Sequence, residues 1–174
     1  MIRLLKSALI CLLLAMGLHT PARAHTPDIS TGKVAAQPNR IYIVDIGFLA
    51  TDLEKIFQAT MAERIGADLS APGVLETEIG KLVAKRVRMR GDNNRACSET
   101  IEKSGEDPNN QDSALVVLRF DCGATEGQIF YDARQLLAAQ GPKGKHLVTL
   151  IGTANAGETM LYPNDPELDL SKPT

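Results

Sequence analysis

Three groups of residues in this chain have types and spacings that could do chemistry. The first is a pair of histidines. His25 follows Ala22-Arg23-Ala24, the small-x-small pattern at which a signal peptidase cuts, so cleavage after Ala24 would make His25 the first residue. A terminal histidine offers both its amino and its ring nitrogen. With His146 as a third nitrogen, the set suits copper or nickel. The plainer reading of His146, at the start of a strand, is a surface or partly buried packing residue.

The second group is Cys97 and Cys122. They lack CxxC spacing and a neighbouring histidine, so a disulfide is expected before a metal site. Closing the loop between them would stabilise the fold by about 3.5 kcal/mol by chain entropy. The third group is Arg86, Arg88 and Arg90, which alternate along one strand face and are extended by Lys81 and Lys85. Such a stripe is either a solvated face or a docking surface for an acidic partner or lipid headgroups. No GxSxG turn accompanies His146, and no complete catalytic constellation is visible, so the expected class is a non-enzyme without a cofactor. The acidic run from Glu99 to Asp112 lacks the residue order of a calcium loop.

The elements that would carry these residues are mostly strands. Arg40 to Phe48 alternates, with Tyr42, Val44, Ile46 and Phe48 on one face. Thr51-Asp52-Leu53-Glu54 matches a capping box, and Leu53, Ile56, Phe57 and Met61 follow at helical spacing. Val74 to Lys85 reads as a second helix and Arg86 to Arg90 as a strand. Ala96 to Lys103 is a weaker strand, and Ser104 to Asp112 reads as a loop. Ser113 to Cys122 is the clearest strand, with Ala114, Val116, Leu118, Phe120 and Cys122 on one face. Further strands are expected at 127–132, 146–153 and 158–162. The pattern predicts a mainly β fold: a single antiparallel sandwich of about seven strands over residues 40–170, with one or two short helices in its first half.

Residues 1–24 have the form of a secretory signal peptide. Arg3 and Lys6 precede the apolar run from Ser7 to Leu18, which is too short to span a bilayer. Residues 25–39 read as a flexible leader and 171–174 as a tail. The 174-residue chain is 44% apolar and 23% charged, with 19 basic and 21 acidic residues. Losing Arg3, Lys6 and Arg23 with the signal leaves 16 basic against 21 acidic, a balance that disfavours a nucleic-acid partner. The expected location is periplasmic or secreted, where a disulfide persists, and the exported chain is not expected to be membrane-embedded.

The second half has a further feature. An arginine-rich strand and a cysteine are followed by LRFDCG, then QIFYDARQLL, then GKHLVTLIG leading into TMLYP. This order, with the Cys97/Cys122 pair and the setting of His146, resembles the extracytoplasmic N-terminal region of HupE/UreJ-type membrane proteins. The resemblance covers roughly Arg40 to Leu170 and lacks that family's transmembrane block. It implies an exported accessory or interaction domain serving a membrane or periplasmic protein in transport or metal uptake. The alternative is a periplasmic copper or nickel carrier using His25 and His146.

Overall fold

The alternation of Ser113 to Cys122 is the spine of the structure. In a computed structural model, which describes residues 29–49, 73–152 and 156–171, all of it but Cys122 lies within β5 (Asn110–Asp121). Ala114, Val116, Leu118 and Phe120 are buried and Leu115, Val117 and Arg119 are half-buried on the other face. Strand β2 (Ile41–Leu49) pairs antiparallel on one side of β5, bringing Val44, Ile46 and Phe48 into the same core. Strand β4 (Ser98–Asp107) pairs antiparallel on the other side.

Strand β1 (Ile29–Gln37) turns back from β2 through the short 3-10 segment Pro38–Arg40. Asn39 and Arg40 there take positive φ angles of 63° and 61°. Strand β7 (Lys145–Ile151) runs parallel to β1, and β8 (Gly157–Leu161) closes that side antiparallel to β7. The six-stranded sheet therefore has the order β4-β5-β2-β1-β7-β8.

A second, antiparallel sheet holds β3 (Arg88–Gly91), β6 (Ile129–Asp132) and β9 (Glu167–Asp169) in the order β3-β6-β9. Met89, Tyr131 and Leu168 are register partners facing the shared core, Leu168 only partly buried. Helix α1 (Val74–Ala84) places Ile79, Leu82 and Val83 in the core. It lies close on β4 because Gly80 has no side chain: a Cβ there would sit 3.1 Å from that of Ser104. Helix α2 (Arg134–Gln140) buries Leu136 and Leu137.

The expected disulfide is present. Cys97 and Cys122 are bonded, with Cα atoms 4.5 Å apart. They extend the β4/β5 register by one pair, since Ser98 stands opposite Asp121. The Cys97 amide donates to the Met89 carbonyl of the small sheet, so the bridge joins the two sheets.

The fold class is confirmed as mainly β and corrected in its architecture. It is not a single antiparallel sandwich of seven strands: nine strands form a mixed sheet of six and an antiparallel sheet of three, with two helices, among the described residues. The segment expected to be a leader, 25–39, contains β1, which sits inside the large sheet between β2 and β7. Its inward residues Ser30 and Gly32 are small or polar, so no apolar alternation marks it. The expected loop 104–112 instead continues β4 to Asp107 and begins β5 at Asn110. Its polarity belongs to an edge strand, where charged side chains discourage pairing with other chains. Past the last expected strand, 158–162, the chain supplies one more strand, β9. The signal peptide, His25 and the helix expected from Thr51 lie outside the described residues.

Candidate functional site

His146 begins the inward face of β7 and is buried completely. The parallel register sets it beside Ser30 of β1, whose Oγ lies 2.8 Å from Nδ1. Across the core, the Tyr131 hydroxyl of β6 lies 2.7 Å from Nε2, and its ring stacks on the imidazole. Gly32, the next inward residue of β1, leaves room for the ring: a Cβ there would stand 2.7 Å from Nε2.

The donors can be assigned by what is left over. The Ser30 hydroxyl reaches the Lys145 carbonyl at 3.5 Å, a long contact. If Tyr131 donates to Nε2, Nδ1–H donates to Ser30, and Ser30 donates onward to Lys145, so every polar hydrogen has an acceptor. The reverse order leaves the buried phenol proton with none among the described residues, which costs about 1–3 kcal/mol. The assignment is therefore the Nδ1–H tautomer. Burial lowers the pKa of His146 to about 4, with the backbone of Ser30 opposing only in part. Burial likewise raises that of Tyr131, helped by the charge of Asp132. Both groups are neutral at neutral pH.

Serine, histidine and tyrosine in a row look like catalytic parts, but all three residues have zero exposure. No substrate reaches them without the fold opening. The chain joins the large sheet to the small one as a satisfied polar network. A metal on His146 would have to displace Ser30 or Tyr131. Among the described residues, no group of three His, Cys, Asp or Glu side chains is placed to hold a metal ion.

The arginines occupy the outer face of the small sheet. Val87 and Met89 point inward and are buried, so Arg88 and Arg90 point out. Arg90 is consumed locally: its guanidinium carbon lies 4.7 Å from the Phe130 ring centre, and Nη2 is 2.8 Å from Glu167 Oε2. Arg86 and Arg88 line, with Arg134, Gln135 and Asp132, an open cleft of about 60 Å³. The Leu136 amide donates to the Arg86 carbonyl at 3.1 Å, which holds α2 against the start of β3. Arg134 also contacts Glu167 Oε1 at 2.8 Å, and its amide donates to Asp132 Oδ1. Arg88 faces Glu99 as well: burial raises the pKa of that carboxyl and the guanidinium opposes the rise.

Two of the three arginines singled out from sequence thus share a cleft, and the third does not. Arg134 was missed, because nothing in the sequence pairs β3 with β6 and so brings residue 134 beside residue 88. The cleft lining holds three guanidinium groups and one carboxylate, and Glu167 on Arg134 and Glu99 facing Arg88 offset part of that positive charge. No family model matches the chain, and a search of curated proteins finds no match.

Proposed function

We propose that this chain is an exported, disulfide-stapled accessory domain that works by docking to an acidic partner and not by catalysis. The observation that carries the reading is the presence of Arg86, Arg88 and Arg134 in the lining of one open cleft. A guanidinium can take a carboxylate in a bidentate pair, and the excess of basic side chains in the depression suits a short acidic segment. The disulfide supports an oxidising compartment. No helix among the described residues is long and apolar enough to cross a membrane. The resemblance to HupE/UreJ-type proteins suggests that the acidic segment belongs to a membrane or periplasmic protein of a transport or metal-uptake system.

The test is a fluorescence-anisotropy titration with a labelled hexaglutamate peptide at low salt, beside a hexalysine control. The glutamate peptide should bind, and the Arg88→Glu/Arg134→Glu variant should weaken it at least tenfold. Binding unchanged in the variant, or absent in the parent at millimolar peptide, would remove the cleft from the account.

A further inference from the structure

The outward face of the six-stranded sheet carries a pattern that no single strand shows. Following the register across the sheet gives one continuous row: Lys103 of β4, Val117 of β5, Asp45 of β2, Lys33 of β1, Thr149 of β7 and Glu158 of β8. The Thr149 hydroxyl reaches the Glu158 carboxylate at 3.4 Å, which places these two side chains on one face. Their neighbours along each strand, Val34, Val44, Val116 and Val148 among them, point into the core. Helix α1 lies on the core side, against Ile101 and Ser104 of β4. The described helices and the small sheet all contribute to that core, and none lies on the opposite face.

The charges along this row read plus, neutral, minus, plus, neutral, minus. That order is antisymmetric about the line between β1 and β2. Two copies laid face to face about a twofold axis along this line would place β4 over β8, β5 over β7 and β2 over β1. Lys103 then meets Glu158, Asp45 meets Lys33 and Val117 meets Thr149, each contact occurring twice. The next row along the strands is Gly105, Leu115, Gly47, Thr31, Leu147 and Met160. The same axis sets Leu115 on Leu147, Gly105 under Met160 and Gly47 under Thr31, so large groups meet small ones at the margins and leucines meet between them.

We propose that a second copy of this chain covers this face, forming a symmetric sheet-on-sheet dimer. Six strands about 4.8 Å apart and some seven residues at about 3.3 Å give a footprint of roughly 550 Å² per partner. The total of about 1,100 Å² clears the floor of about 1,000 Å² for a biological interface and lies at the weak end of the range. Aligned sheets cross at about −30°, and the long Lys103 and Glu158 side chains can take up the resulting offset at the edges. The inference stands apart from the arginine cleft, which lies on the small sheet.

The test uses sedimentation equilibrium of the purified protein and of two charge-reversed variants. Lys103 and Glu158 are exposed on opposite edges of the sheet, so neither substitution disturbs the core. The parent should be a dimer. Lys103→Glu and Glu158→Lys alone should each weaken it at least tenfold at low salt. An equimolar mixture of the two should recover the parental affinity, because each chain then meets its complement at both edges. A monomer up to millimolar concentration would overturn the proposal. So would a dimer that ignores Lys103→Glu, as expected for pairing edge to edge through β8, or a mixture no tighter than its components.

Discussion

Gly32 and His146 compete for the same space at the level of single atoms. Alanine at position 32 would bring a carbon within 2.7 Å of Nε2, so the imidazole must move off Tyr131, off Ser30, or both. Gly32→Ala should therefore lower the unfolding free energy by about 1–3 kcal/mol, a typical cost of overpacking. Tyr131→Phe removes the donor to Nε2 and leaves a buried ring nitrogen unsatisfied, at a cost of about 1–3 kcal/mol. The two substitutions damage one network, so urea unfolding of the double variant should show a loss clearly smaller than the sum. Additive losses would mean that Gly32 and Tyr131 act separately and that the polar chain is not a unit.

At the scale of elements, β5 and the disulfide were legible and β1 was not. Val116, Leu118 and Phe120 alternate with half-exposed residues, and one wrong register would expose the whole set. Leu118→Ala should cost about 2–5 kcal/mol, with Arg119→Ala much less disruptive; equal losses would contradict the register. Cys97 and Cys122 were readable because few thiols remain to pair. Their replacement by alanine should lower stability by about 2–5 kcal/mol in the same denaturation assay. By contrast β1 hides because its inward Ser30 and Gly32 face His146 and Tyr131, whose size and polarity they match. Its parallel partner β7 is also remote in sequence, and strand alternation carries no information about which strands pair. The cleft was half legible for the same reason. Arg86 and Arg88 are neighbours in the chain, but Arg134 joins them only through the pairing of β3 with β6.

For the whole molecule, the buried imidazole ties stability to pH. The pKa of His146 is about 4 in the folded chain and about 6.5 when unfolded and solvated. Between those values the unfolded state binds a proton that the native state refuses. Stability therefore rises with pH across this window and is lost as pH falls from about 6.5 towards 4. A separation of this size corresponds to roughly 3 kcal/mol, and the dependence levels off below the folded pKa because both states are then protonated. Carboxylates contribute their own acid dependence, so the decisive quantity is the difference from His146→Gln, which keeps polar atoms but cannot titrate. Urea unfolding at half-unit steps should show the parent losing about 3 kcal/mol more than the variant between pH 6.5 and 4. Parallel curves would mean that His146 keeps an ordinary pKa in the fold. A site that water can reach would explain such a result, and the sealed link between the two sheets would then be wrong.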